Sequence, residues 1–316
     1  MAKSIGSFFL KTYGLLAFLL AMIITFATHL QGHPSEYKKW NLSESWIVSP
    51  KQAHDLKNQG AQLLDVRGSV DRLFRSLPSA KILTWEEFSN PNQPLKGKLL
   101  PAIQIEKKLK AIGIQKSDTL LVFGDPLSGW GEEGRMTWTL RTTGYLRTYL
   151  VDGGVNQFLK QGKTQTSKDV NVAAETVQTQ SKMNYDIEAE DIIKKLNESN
   201  SNLSVIDVRE KREFLGSTPY GESRGGHIPS AHWIYYQEFI DKDGYIKSKN
   251  EIDSLLKSKN IVSSNQIVSY CTGGIRSAFT TAILVSYGYD ALNYSGSMWE
   301  WSSKDSRMYQ LVKSDK

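Results

Sequence analysis

The sequence predicts an α/β protein built from two tandem domains of one kind, each a mostly parallel sheet flanked by helices. Three observations carry this expectation. Short apolar strand patterns alternate with helical ones, one ordered set of motifs occurs twice, and in both copies a strand ends in Asp-Val-Arg, at Asp65-Val66-Arg67 and Asp207-Val208-Arg209.

In the first copy, the strand Leu63-Leu64-Asp65-Val66-Arg67 is followed by Leu77-Pro78-Ser79-Ala80 and Trp85-Glu86-Glu87-Phe88. In the second, Val205-Ile206-Asp207-Val208-Arg209 is followed by Ile228-Pro229-Ser230-Ala231 and Tyr236-Gln237-Glu238-Phe239. A helix comes next in each, with apolar positions Ile105, Leu109 and Ile112 in one and Ile252, Leu255 and Leu256 in the other. The buried strands 119–123 and 266–270 then correspond, as do Gly144-Tyr145 with Gly288-Tyr289 and Gly153 with Gly296. Offsets between the copies run from 142 (Asp65 to Asp207) to 151 (Pro78 to Pro229), as expected of a duplication with altered loops. Gly162 to Asn184 is rich in Thr, Gln, Ser, Asn and Lys without apolar periodicity. Residues 164–184 are therefore expected to be a linker between domains 48–163 and 185–316.

The chain has 316 residues, with 40 % hydrophobic and 23 % charged, an ordinary globular composition. Its single cysteine, Cys271, rules out an internal disulfide and any multi-thiolate metal cluster. The five histidines show no ligand spacing, and no dinucleotide or Walker fingerprint occurs, so neither metal nor cofactor is expected. The net charge of +6 is spread over many segments, which fits a solvated surface and no nucleic-acid partner. At the start of the chain, Lys3 and Lys11 precede 17 uncharged residues from Thr12 to Thr28. That length lies between a signal-peptide core and a membrane-spanning helix. Residues 1–30 are expected to act as a signal-anchor or signal peptide. The protein is expected to be membrane-anchored, with its domains outside the cytoplasm (periplasmic or extracellular), or secreted after cleavage.

Cys271 lies where chemistry is expected in such a fold, beyond the carboxyl end of a strand. The strand Ile267–Tyr270 runs into Cys271-Thr272-Gly273-Gly274-Ile275-Arg276-Ser277, and a helix follows through Ala278, Phe279, Ala282, Ile283 and Leu284 until Gly288. A thiol between a strand end and a helix start meets N–H groups without helical partners, which stabilise an anion. Gly273 and Gly274 let the loop curl so that these groups converge. Arg276 adds fixed positive charge or braces the loop from behind. Together these features point to a reactive thiolate.

Those residues resemble the tandem-domain rhodanese family, the thiosulfate/3-mercaptopyruvate sulfurtransferases, from about Val48 to the C-terminus. The resemblance is carried by Asp207-Val208-Arg209-Glu210 with Glu213-Phe214, by Gly226-His227-Ile228-Pro229-Ser230-Ala231, by the Cys271 loop, and by Asn293-Tyr294-Ser295-Gly296-Ser297-Met298-Trp299-Glu300-Trp301. It implies a sulfurtransferase in which Cys271 takes sulfane sulfur from a small-molecule donor as a persulfide. The sulfur then passes to a thiol or cyanide acceptor. It also implies that Thr272, Gly273, Gly274, Ile275, Arg276 and Ser277 cradle the donor, and that Arg209 and Arg224 contact its anionic group. The related cysteine phosphatases use Cys-x5-Arg, whereas four residues separate Cys271 from Arg276 here. A non-enzymatic module binding persulfide or thiol partners is the alternative from another class, and a cysteine phosphatase-like enzyme ranks behind it. The Cys-Thr-Gly-Gly-Ile-Arg string also resembles the loop of rhodanese-type tRNA uridine hydroxylases, whose N-terminal domain differs.

The first copy departs from this pattern. The position equivalent to Cys271 falls on Gly124 or Asp125, and the following loop has no thiol, so the 48–163 domain is expected to be inactive. Glu132 and Glu133 are expected in a solvated loop, and Asp65 with Arg67 as a structural pair at a strand end. His227 is expected to orient backbone, and Trp299 and Trp301 to pack against the core.

Overall fold

The computed structural model describes residues 40–162 and 184–313. The first half runs β1 (Ile47–Val48), α1 (Pro50–Asn58), β2 (Gln62–Asp65), α2 (Ser69–Phe74), β3 (Lys81–Ile82), α3 (Ala102–Ala111), β4 (Leu120–Phe123), α4 (Glu132–Thr142), β5 (Thr148–Val151) and α5 (Gly154–Gly162). The second repeats the order in α6 (Ala189–Leu196), β6 (Leu203–Asp207), α7 (Lys211–Phe214), β7 (His232–Trp233), α8 (Lys249–Ser258), β8 (Gln266–Tyr270), α9 (Ile275–Ser286), β9 (Ala291–Asn293) and α10 (Ser297–Ser303). Short 3-10 turns, Trp85–Phe88 and Tyr236–Phe239, occupy corresponding places.

All pairings within the two sheets are parallel, with strand orders β1-β5-β4-β2-β3 and β7-β6-β8-β9. The registers correspond as well, Asp65 facing Phe123 as Asp207 faces Tyr270. An isolated parallel bridge between Asp186 and Asn293 stands where β1 stands in the first sheet. The expected two-sheet α/β fold is therefore the observed one. Helices cover both faces, so β4 and residues 267–270 of β8 are buried throughout and read as apolar runs rather than alternating patterns.

Local sequence accounts for the helix ends. Ser49 caps α1 in a reciprocal box with Gln52, with Pro50 in the first turn, and Ser248 and Glu251 do the same for α8. Ile105, Leu109, Ile252 and Leu256 are buried as expected, and Leu255 packs partly buried against the core. Ile112 is not in the core: it is the C-cap of α3 and 39 % exposed, and Ile114, beyond the turn, takes the core position.

Both sheets belong to one compact unit, in which α4 packs against α9. The contact is backbone-close: a Cβ on Gly134 would overlap the Cα of Phe279. Around the crossing, Trp46, Trp138, Tyr185, Ala278 and Ala282 form an apolar cluster drawn from both halves. The Trp138 indole N–H donates to the Tyr185 carbonyl (3.0 Å), the Trp46 N–H to Ser286 Oγ (3.0 Å), and the Tyr236 hydroxyl to the Gly129 carbonyl (2.8 Å).

Two expectations fall on residues outside the description: the leader at 1–30, and the linker at 164–184 apart from its last residue. The expectation of a membrane-anchored protein with its domains outside the cytoplasm is corrected. Among the described residues no helix is long and apolar enough to cross a membrane. The longest of them, α9, has 12 residues, about 18 Å at 1.5 Å per residue against a hydrocarbon core of about 30 Å.

The close crossing gives a test. Gly134→Ala should destabilise the protein by about 1–3 kcal/mol, because the added methyl meets backbone that cannot move aside. Urea denaturation measures this, and an unchanged midpoint would show that the crossing is not tight.

Candidate active site

Tyr270 ends β8 with its side chain buried and its hydroxyl on Asp207 (2.7 Å), so the next residue emerges at the carboxyl edge of the second sheet. That residue is Cys271, 1 % exposed. The chain turns through Thr272 and Gly273 to Gly274, the N-cap of α9, whose φ of 80° is in the left-handed region that favours glycine. Its N–H donates to the Cys271 Sγ at 3.1 Å, and the Ser277 hydroxyl lies 3.6 Å from the same sulfur. The start of α10 holds the loop on its other side. Ser297 Oγ accepts from the Cys271 N–H (3.0 Å), while Met298 and Trp299 donate to the carbonyls of Cys271 and Thr272 (3.1 and 2.9 Å).

Arg276 braces the loop from below. Its guanidinium forks onto the fully buried Glu213 at 2.8 and 3.0 Å and donates to Thr272 Oγ1 at 2.6 Å; that hydroxyl in turn reaches Glu213 at 2.5 Å. Burial works against the charge of Arg276, but Glu213 and the nearby thiolate hold its pKa above the ordinary arginine range. For Cys271 burial pushes the thiol up, yet the Arg276 charge and hydrogen bonds from Ser277 and Gly273 outweigh it. The net shift is downward. The arrangement can hold a thiolate, or a slightly larger anion bonded to it, among oriented N–H and O–H donors.

The thiol opens into a cavity of about 170 Å³ lined by Cys271, Thr272, Gly273, Ile275 and Arg276, and by Trp85, Trp130, Glu132, Tyr220 and Trp299. The loop residues singled out in the sequence are thus brought together. Trp299, expected to pack, is instead a wall: its ring lies where a Cβ on Gly273 would be, and its indole N–H donates to the Tyr220 carbonyl (2.8 Å). Trp301 packs in the core as expected. His227 stacks on Phe214 with Nδ1 3.0 Å from that residue's carbonyl oxygen, the backbone-orienting place expected for it.

The two arginines expected at the donor do not line the cavity. Arg209 is fully buried, forked onto Asp207 at 2.9 and 2.6 Å, with a further bond to the Gly226 carbonyl at 2.7 Å. Arg224 donates to the carbonyls of Trp301, Ser302, Lys304 and Tyr309, closing the C-terminal end of α10. Asp65 and Arg67 form the structural pair expected of them (2.9 and 2.7 Å).

The first half contributes side chains to the cavity that the sequence does not single out. Trp85 lies in the 3-10 turn, Trp130 and Glu132 lie at the start of α4, and all three reach the cavity of the second half. Glu132 and Glu133 are not in a solvated loop. Glu132 accepts from the Trp130 N–H (2.7 Å), and burial pushes its carboxyl up. Glu133 is fully buried, with no hydrogen-bond partner from another residue among the described ones; desolvation first, then Glu132, raise its pKa to about 8. Arg135, also fully buried, crosses to the active loop, donating to the Gly274 carbonyl (3.2 Å), the Gly97 carbonyl (2.6 Å) and Ser89 Oγ (2.9 Å).

A cysteine loop between a parallel strand and a helix, braced by an arginine and facing a small cavity, is the arrangement of an α/β protein suited to thiolate chemistry. Residues 188–304 match the Rhodanese-like domain. The mouse 3-mercaptopyruvate sulfurtransferase is 24 % identical over 272 residues, covering 82 % of this chain and 91 % of its own. A thiosulfate sulfurtransferase of Corynebacterium glutamicum is 24 % identical over 83 % of this chain and 87 % of its own. The sulfur carrier protein TtuD of Thermus thermophilus is 25 % identical over 72 % and 82 %. Among solved structures, YnjE matches with a TM-score of 0.69 at 20 % identity, covering 90 % of this chain and 72 % of that one. An EanB variant in complex with ergothioneine matches at 0.68 and 16 % identity, covering 87 % and 73 %. The family match thus places a rhodanese-like domain in the second half of the chain, and two relatives that resemble most of its length are named sulfurtransferases.

Two outcomes follow from the shifted groups. The pH midpoint for alkylation of Cys271 by iodoacetamide should lie below that of a free thiol, and Ser277→Ala should raise it by about half a unit; equal midpoints in the two proteins would remove Ser277 from the cradle. Glu133 keeps its proton in the folded state up to about pH 8, whereas the unfolded chain releases it near 4.5. Its stabilising contribution is therefore complete below the lower value and lost as pH rises through the upper one. Glu133→Gln should raise the melting temperature above that of the wild type increasingly across that window. A parallel pH dependence in both proteins would contradict the assignment.

Proposed function

We propose that the protein moves sulfane sulfur from a small anionic donor, such as thiosulfate or 3-mercaptopyruvate, to a thiophilic acceptor through a persulfide on Cys271. Residues 185–316 would carry the chemistry and residues 48–163 would be catalytically inactive, supplying part of the cavity wall. The reading rests above all on Cys271: a buried thiol, shifted towards thiolate, receives the Gly274 N–H at 3.1 Å at the floor of a cavity sized for a small molecule.

With thiosulfate, the Cys271 thiolate attacks the outer sulfur. The new S–S bond forms as the donor's S–S bond breaks, and sulfite leaves with the bonding pair. The outer sulfur of the persulfide then carries the negative charge, held by the Thr272 to Ser277 cradle. A cyanide or thiolate acceptor attacks that sulfur, and the electron pair returns to Cys271. With thiosulfate neither half-reaction moves a proton, whereas with 3-mercaptopyruvate the donor's thiol proton ends on the carbon that leaves as pyruvate. Phosphoryl chemistry fits less well. The Cys271 loop is shorter than Cys-x5-Arg, and the Arg276 fork is already committed to Glu213 rather than open to a tetrahedral oxyanion.

Intact mass after incubation with thiosulfate or 3-mercaptopyruvate should show one added sulfur, removed again by cyanide. Cys271→Ser should take up none. A folded wild-type protein that gains no sulfur from either donor would overturn the reading.

A further inference from the structure

Both anionic donors just named need a positive partner for the end of the molecule that is not attacked, and the arginines around the cavity are engaged elsewhere. Arg276 is forked onto Glu213 and Arg209 onto Asp207, and Arg212 pairs with Glu210; Arg224 closes α10 and Arg135 holds carbonyls behind the loop. Lys96, from the first half, is different. Its ammonium lies 5.8 Å from the ring centroid of Trp85 and 5.8 Å from that of Trp299, two walls of the cavity, and it has no anionic partner among the described residues.

The backbone beside Lys96 is fixed against the active loop. A Cβ on Gly97 would lie 2.9 Å from the Gly273 carbonyl oxygen and would overlap that of Ser295, so the segment sits directly on the Cys271 loop. The Gly97 carbonyl accepts from Arg135 at 2.6 Å. The half-buried lysine therefore springs from an anchored point, while its ammonium, held only by two ring faces, keeps its N–H donors for a ligand. Resting on the sulfurtransferase reading, we infer that Lys96 binds the distal anionic group, sulfonate or carboxylate, of the sulfur donor and so selects for anionic donors.

The test compares thiosulfate with an alkyl hydropersulfide, whose leaving thiol carries no distal anion, in the full chain and its Lys96→Met, Lys96→Gln and Lys96→Arg variants. The measured quantity is the ratio of kcat/KM for the two donors, with melting temperatures to establish that each variant is folded. Lys96→Met and Lys96→Gln should lower the ratio by about tenfold, mostly through KM for thiosulfate, and Lys96→Arg should restore most of it. A ratio unchanged in all three folded variants, or lowered equally in Lys96→Arg, would overturn the assignment to Lys96 while leaving the sulfurtransferase reading intact. A wild-type protein that accepts sulfur from neither donor would overturn both.

Discussion

The crossing of α4 and α9 at Gly134 and Phe279 is the constraint on which the site depends. Helices that touch through backbone have little freedom to slide, so the first turn of α4 is fixed against the first turns of α9. That places Trp130 and Glu132 over the thiol of the other half. It also sends Arg135 to the Gly274 carbonyl. In a trans peptide the C=O and N–H point in opposite directions. A guanidinium holding the Gly274 carbonyl from behind therefore turns the N–H of Ile275 the other way. The half without a thiol thus helps to shape the half that has one, and the second half alone would lack both a cavity wall and this outer brace.

Comparison of the two copies shows how one site was built and the other closed. Both helices begin after a left-handed glycine, Gly131 at φ 83° and Gly274 at φ 80°, so the residues that follow correspond. Arg276 in one copy stands where Glu133 stands in the other. In the second half a buried cation is neutralised by Glu213 and lends its field to a thiolate. In the first, the carboxyl packs against Gly124, at the place of the missing cysteine, and burial keeps it protonated up to about pH 8. A buried acid without a partner is costly when ionised. The first copy therefore lacks both the thiol and the buried cation that stands beside it in the second.

Much of this was legible in the sequence because it is local. The apolar runs of β4 and β8, the Asp-Val-Arg strand ends and the strand-to-helix position of Cys271 all follow from residues within a few places of one another. Arg209 could have been read in the same way. Asp65 and Arg67 form the structural pair that their spacing predicts, and Asp207 and Arg209 have the same spacing and geometry, each arginine also tying down a later carbonyl, that of Arg75 or Gly226. The family resemblance drew Arg209 towards the substrate when its own neighbour already claimed it. Glu132, Glu133 and Trp85 were beyond reach for another reason: their burial depends on the other half of the molecule, and no local pattern records which surface will be covered.

The chemistry of the two basic side chains explains why the arginines turned out to be structural. A guanidinium presents a planar fork of donors that can satisfy a carboxylate and a carbonyl together, so it tolerates full burial where the acceptors are fixed. Arg209 meets Asp207 and the Gly226 carbonyl, Arg276 meets Glu213 and the Thr272 hydroxyl, and Arg135 meets the carbonyls of Gly97 and Gly274 with the Ser89 hydroxyl, each tying together segments distant in the sequence. Such a group cannot also follow a ligand that arrives and leaves. An ammonium on a flexible stem, resting on tryptophan faces rather than bonded to an acid, can release and rebind a ligand without breaking the architecture. The molecule thus uses arginine where the loop must stay rigid, and beside two tryptophans of the cavity wall it places a lysine, the cation best able to move.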